Sequence, residues 1–261
     1  FLNDKNTDIS GQDFPEDLPQ IGEDEEFCFE CGPQNPCFNR CCSELNLPLT
    51  PYDALRLTRQ SGMTAREFLG LFANFSTCPD TGFPQLTLRM VDGPEALCPF
   101  VTPAGCSVYE DRPSACRCYP LGRGSRLAKD GVAQRFFVLR EDHCKGFECR
   151  TVQTPRKWLQ SQEMAKYTEF NDRYMRLLSM VCASGKPLDA KLAAMAMLCL
   201  YQLDDFREFT EKMKLFDRLD LDEEQKQKIM APEGDEAALS FALDWLELVI
   251  FGQCANLRKK V

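Results

Sequence analysis

The sequence predicts a mainly α-helical protein with cysteine-rich loops and a few short strands, built as a metal-binding lobe followed by a C-terminal helical bundle. Three observations lead there. Twelve of the fifteen cysteines fall before residue 150. Prolines interrupt the segments that carry them. From Thr154 onward, apolar residues recur at helical intervals. The expected organisation is an acidic arm at 1–26, a cysteine-rich metal-cluster-binding region at 27–153, and a helical region at 154–261 packed against it.

At 261 residues the chain is long enough for one large domain, or for a metal-rich lobe beside a helical one. A core of that size needs no disulfide staple, which removes one reason for so many cysteines. The formal net charge of -9 argues against a broad nucleic-acid footprint, and no apolar run reaches the length of a membrane span. Residues 1–26 hold nine Asp or Glu and one lysine, Lys5, and read as an acidic arm lying over the surface. No basic stretch followed by an apolar one is visible, so no signal peptide is expected and the compartment is expected to be cytoplasmic.

The stretch FCFECGPQNPCFNRCC, residues 27–42, places Cys28, Cys31, Cys37, Cys41 and Cys42 within fifteen residues. Disulfide pairing meets three objections: an odd count, a vicinal pair, Cys41 and Cys42, whose own bridge is strained, and a reducing compartment. Clustered, short-spaced cysteines in such a compartment more often bind metal. The segment supplies more thiolate than one tetrahedral zinc uses. Thiolates without accompanying histidines suit zinc and iron–sulfur clusters alike. His143 is the only histidine, which sets aside a catalytic, His-rich zinc site. Spacing leaves the choice between the two metals open.

Along the chain, Thr50 before Pro51 marks a helix start, a capping residue followed by Pro at the first helical position. Thr64 caps a second helix running to Phe72. Leu86, Leu88 and Met90 alternate with polar neighbours as a strand does, and VAQRFFVLR, residues 132–140, reads as another. Such strands would form a small sheet beside the cysteine loops. Prolines at 99, 103, 113 and 120 keep residues 98–122 out of long regular structure, leaving a loop able to wrap thiolates and N–H groups around an inorganic centre. Arg112 and Arg117 in that loop either pair with Glu110 or Asp111, or stand behind the ligands and offset cluster charge. Tyr109 reads as a packed aromatic with a satisfied hydroxyl.

Thr154 and Pro155 then open a helix carrying Trp158, Tyr174, Leu177, Leu178 and Val181, stopped by Gly185 and Pro187. A long helix follows, with Leu188, Leu192, Met195, Cys199, Leu203, Phe206, Phe209, Met213 and Phe216 in one apolar stripe. Cys199, inside that stripe, reads as a small buried hydrophobe. Glu236 to Phe251 forms a last helix, with Phe241, Trp245, Leu248 and Val249 inward. No internal repeat is visible.

Three blocks now carry a resemblance. They are Cys37, Cys41 and Cys42 followed by LPLTPYD; CPF with CSVYEDRPSACRCYP; and DHCKGFEC. Together they resemble the YkgJ-type family of zinc- or iron-chelating domains over roughly residues 28–149, the second block being the most specific. The resemblance implies metal binding by Cys37, Cys41, Cys42, Cys98, Cys106, Cys116 and Cys144, with Cys28 or Cys31 extending the first group. Cys118 and Cys149 are thiols beyond the family's pattern. The candidate ligand set is therefore Cys28, Cys31, Cys37, Cys41, Cys42, Cys98, Cys106, Cys116, Cys118, Cys144 and Cys149, a surplus that permits two clusters or one large one. One branch resembles flagellin lysine methylases that carry an iron–sulfur cluster and use S-adenosylmethionine. This chain lacks the C-x3-C-x2-C run of a typical radical enzyme of that cofactor, and a glycine-rich nucleotide loop in the right context, so methyl transfer is not assigned.

The resulting expectation is an iron–sulfur protein with one or two clusters, most simply of 4Fe–4S type, serving redox, electron-transfer or cluster-based chemistry in an anaerobic cytoplasm. Arg112, Arg117 and His143 are the candidates for work around the ligands, and a redox protein is the expected partner. The alternatives are a structural zinc protein, and a cluster-dependent modifying enzyme acting between the two halves.

Overall fold

The computed structural model describes residues 19–128 and 131–260. Residues 1–18 of the expected acidic arm lie outside the described residues. Helix accounts for 46% of the chain, with short strands gathered in its cysteine-rich part, as the sequence predicts.

Strands β1 (Gln20–Ile21) and β2 (Phe27–Cys28) lead into the first cysteine segment, which closes in a short 3-10 turn at Arg40–Cys42. Strand β3 (Pro48–Leu49) precedes helix α1 (Pro51–Ser61), which starts at Thr50 through a reciprocal capping box with Asp53. Helix α2 (Ala65–Phe72) opens on a second capping box, Thr64 with Glu67, and runs directly into β4 (Ala73–Thr77) and on to β5 (Pro84–Leu88). A hairpin of β6 (Val101–Thr102) and β7 (Gly105–Cys106) follows, then the short helix α3 (Ser114–Cys118). The longest hairpin is β8 (Leu121–Ala128) with β9 (Gly131–Val138), and β10 (Val152–Gln153) ends the cysteine-rich part. All strand pairings are antiparallel among the described residues, in sheets ordered β1-β9-β8, β3-β5-β4, β10-β2 and β6-β7.

The helical part departs from its periodicity at two places. The helix expected from Thr154 to Gly185 is broken into α4 (Pro155–Ser161) and α5 (Ala165–Ser184), with Glu163 at φ 53 between them. The long helix expected after Leu188 is divided into α6 (Ala190–Tyr201), α7 (Leu203–Lys212) and a 3-10 turn at Leu215–Arg218. Gln202 leaves helical geometry at φ −131, ψ 59, and Lys214 takes a left-handed φ of 51. These breaks fold one apolar stripe back on itself, so that its members enter a common core from different directions. Helix α8 (Glu223–Met230) was not anticipated because its apolar content is low, yet Asp222 with Gln225 forms the capping box that announces it. Helix α9 (Asp235–Phe251) is the expected last helix. Phe241, Trp245 and Leu248 face inward on it, but Val249 is exposed, as is Met213 on the preceding stripe.

The main core joins both parts of the chain. Tyr52, Leu57, Phe68 and Phe83 from α1, α2 and the turn before β5 pack with Phe206, Leu239 and Leu246 from α7 and α9, all fully buried. The Tyr52 ring stacks on Phe170 of α5 at 4.6 Å. Cys199 is also fully buried here, in the space-filling role its stripe predicts. A smaller core of Phe29, Leu121, Phe136 and Trp158 lies under the β8–β9 hairpin. Phe206→Ala is expected to cost about 3–5 kcal/mol and Cys199→Ala about 1 kcal/mol or less, read from urea unfolding midpoints. Equal losses would show that Cys199 does more than fill space.

Candidate metal centre

Backbone hydrogen bonds draw the three cysteine segments together. The amide of Cys98 donates to the carbonyl of Cys42 at 2.7 Å, and an isolated bridge joins Ser43 to Leu97 beside it. Asn39 Nδ2 donates to Thr102 O at 3.0 Å, tying the first segment to the β6–β7 hairpin that carries Cys106. The third segment closes from the other side: Glu30 N donates to Gly146 O at 3.0 Å, and Lys145 N donates to the sulfur of Cys37 at 3.2 Å. Gly146 is needed for that approach, since a Cβ there would stand 2.8 Å from Glu30 O and 2.6 Å from the Phe29 ring.

The result is a shared electrostatic neighbourhood of eight thiols: Cys31, Cys37, Cys41, Cys42, Cys98, Cys106, Cys116 and Cys144. Burial raises Cys31 to about 11, and the charges of Cys41, Cys144 and Cys37 add to it. Burial is also the leading cause of the upward shifts of Cys98, Cys106 and Cys116, with other thiols of the group contributing. The vicinal pair behaves differently. The adjacent Cys42 thiol lowers Cys41, while proximity to Cys41 together with burial pushes Cys42 up. All fifteen cysteines are free thiols.

Among the described residues, no three Cys, His, Asp or Glu side chains are already drawn up as a coordination shell. The eight thiols form a ring of candidate ligands rather than an assembled site, and a metal bound there would displace thiol protons and draw them closer. Cys31, Cys41 and Cys116 are exposed as residues although the surrounding chain crowds their thiols, and Cys98 and Cys106 are half-buried, so the ring lies near the surface. Of the other candidates, Cys28 is exposed in β2 and Cys149 directs its sulfur to Thr151 O at 3.9 Å. Cys118 is buried in the main core, where burial raises it to about 12 and the charges acting on it are Arg123 and Asp53 rather than thiols.

The polar residues around the ring depart from the ion pairs expected of them. Asp111 is taken by Arg56, whose Nε lies 2.6 Å from its carboxylate. Arg117, 3% exposed, instead donates to three backbone carbonyls, those of Arg112 (3.2 Å), Gln162 (2.7 Å) and Glu110, with its guanidinium 4.7 Å from the Tyr167 ring centroid. Arg112 donates to Tyr109 O and to the Gln162 side chain at 2.5 Å. Its charge favours ionisation of Cys31 and Cys106. Neither Arg112 nor Arg117 forms an ion pair among the described residues. Tyr109, expected to be packed, is exposed, with Arg112 stacked on its ring at 3.7 Å. His143 Nε2 stands 3.3 Å from the Glu141 carboxylate but without hydrogen-bond alignment, and the Tyr119 hydroxyl near Cys144 is buried without a partner.

Two residues important to this geometry escaped the sequence reading. Gln162 sits in the break between α4 and α5 and serves both arginines, one with its carbonyl and one with its side chain. Asp53 completes the capping box with Thr50, and its carboxylate also reaches Ser114, at the start of α3. The T-P-Y-D pattern carries a signal for the first of these contacts and none for the second.

Free thiols from three segments, one of them with a depressed pKa, and buried guanidiniums without acid partners form a donor set suited to a thiophilic cation. The fold and site define a cysteine-rich protein whose grouped free thiols are of the donor type used by metal-chelating domains. The family model CxxCxxCC, described as "Putative zinc- or iron-chelating domain", matches residues 30–173, more than half of the chain, and the chain belongs to that family. No curated protein and no solved structure matches it significantly. No helix among the described residues is long and apolar enough to cross a membrane.

Cys116 and Cys118 lie on the same short helix but face different surroundings. Cys116→Ala is expected to lower bound metal sharply, whereas Cys118→Ala retains it with a modest loss of stability. Metal content after identical anaerobic purification checks the pair, and equal loss would place Cys118 in the ligand set.

Proposed function

We propose that this is an iron–sulfur protein whose thiolates hold one or two clusters, most simply of 4Fe–4S type, for electron transfer, redox sensing or cluster-based chemistry in a cytoplasmic setting. The observation that supports it best is the number of thiols in one neighbourhood. Cys31, Cys37, Cys41, Cys42, Cys98, Cys106, Cys116 and Cys144 exceed what a single tetrahedral zinc uses. Buried Arg112 and Arg117 add to the case. A thiolate-bound cluster is anionic, and cationic charge behind it stabilises the reduced form and raises the potential.

In this reading the cysteine-rich region, 27–153, supplies the ligands and the helical region, 154–261, backs and rigidifies it. When bound, the cluster supplies one-electron chemistry. The chain's own residues bind and orient it, hold compensating positive charge at the Arg112 and Arg117 guanidiniums, and leave one side of the ring open to a redox partner protein. Zinc remains the alternative metal: the family's description admits it, and a subset of the same thiolates would serve it.

Protein purified without oxygen is expected to be brown, with iron and acid-labile sulfide in comparable amounts. Colourless protein holding stoichiometric zinc and no sulfide would overturn the iron–sulfur reading in favour of the structural zinc one.

A further inference from the structure

Asp53 is fully buried, 0% exposed, and makes no ion pair among the described residues. Its carboxylate is held by hydrogen bonds from two separate parts of the chain. Thr50 N donates to Oδ2 at 3.0 Å, which is the local capping box of α1. Ser114 donates twice from a position 61 residues away, its amide to Oδ1 at 2.8 Å and its hydroxyl to Oδ2 at 3.0 Å. Ser114 is the first residue of α3, and Cys116 follows two positions later. The N-cap position of α3 is Pro113, whose side chain offers no capping bond, so the carboxylate of Asp53 performs that task from a distance.

Helix α1 is anchored in the main core through Tyr52, Ala54 and Leu57. The bond pattern therefore connects a rigid core helix to the backbone that carries one thiol of the ring. Cys116 sits in a proline-punctuated segment with little regular structure of its own to hold it, and five residues of helix are too few to be stable alone.

We propose that Asp53 is a positioning residue of the metal centre, fixing the start of the Cys116 helix against α1 through its paired hydrogen bonds to Ser114. The inference rests on the metal-binding reading of the ring and goes beyond it by naming a residue that sets the place of one ligand without touching the metal. An asparagine at this position can keep the link to Ser114, its oxygen accepting from the Ser114 amide and its nitrogen donating to the Ser114 hydroxyl, while giving up the bond from Thr50 N and so costing stability as Thr50→Ala does. An alanine cannot.

The test compares Asp53→Ala, Asp53→Asn, Ser114→Ala and Thr50→Ala with the unaltered protein. Thr50→Ala weakens the same helix start without touching the Ser114 contacts, and so controls for stability. Two quantities are read: the rate at which a chelator removes bound metal, and the rate at which Cys116 is alkylated in metal-free protein, followed by mass spectrometry. Asp53→Ala is expected to release metal about 10-fold faster or more and to alkylate faster at Cys116. Asp53→Asn should return both rates close to those of the unaltered protein, and Thr50→Ala should change neither while lowering the melting temperature. If Asp53→Ala does not fold, Ser114→Ala carries the test, with faster release and faster alkylation as its expected result. A folded Asp53→Ala or Ser114→Ala protein with unchanged rates would overturn the proposal, as would Thr50→Ala matching Asp53→Ala in both. Failure of the metal-binding reading shows separately, as absence of metal from the unaltered protein, and leaves the alkylation result to decide the role of Asp53.

Discussion

A guanidinium taken out of water is the constraint around which the cysteine-rich part is arranged. Burying a cation costs several kcal/mol unless its donors are met. Arg117 meets them with backbone carbonyls from Glu110, Arg112 and Gln162, and with the face of Tyr167. Two of those carbonyls belong to the loop between the Cys106 hairpin and the Cys116 helix. The third belongs to the break between α4 and α5. One side chain thus ties the loop's shape to the helical part, and neither can shift without leaving a buried donor unpaired. Gln162 reinforces the tie by receiving Arg112 on its side chain. The interruption of an otherwise continuous helix is therefore useful: a regular helix would have committed the Gln162 carbonyl to its own ladder.

The ring of thiols sits on top of this framework. Its members come from segments with almost no regular structure, where local propensity cannot hold a side chain in place. Position is imposed by contacts between segments, such as the Cys98 amide on the Cys42 carbonyl and the Lys145 amide on the Cys37 sulfur. The second contact also supplies a donor to a candidate ligand, the kind of bond that tunes thiolate charge in a metal site. Phe29 packs edge-on against Tyr119, Phe147 and Trp158, and Cys144 packs against the same apolar cluster.

Charge divides along the same line. The chain as a whole is acidic, at -9, yet the side chains buried next to the ring include two arginines. Most carboxylates lie at the surface or pair with other basic residues, as Asp111 does with Arg56 and Asp235 with Arg207. Positive charge inside an acidic protein would suit an anionic thiolate centre, and Arg112 offsets part of the upward push that burial gives Cys31 and Cys106.

Features that depend on neighbours in sequence were legible from the sequence. The helix starts at Thr50, Thr64 and Thr154 follow from capping chemistry, which acts over three or four residues. The burial of Cys199 follows from its place in an apolar stripe, and membership of the chelating-domain family from the cysteine blocks. The tertiary structure decided what depends on distant partners. It divided the helices at Gln162 and Gln202, turned Arg112 and Arg117 from the carboxylates beside them to carbonyls, exposed Tyr109 and Val249, and separated Cys116 from Cys118 although they share one helix. Periodicity records which face of a helix is apolar, but a break is stabilised by groups dozens of residues away, as Arg117 stabilises the one at Gln162. Asp53 shows both levels in one side chain: its bond to Thr50 could be read from four consecutive letters, whereas its bonds to Ser114 exist only because the folded core sets α1 beside the cysteine loop.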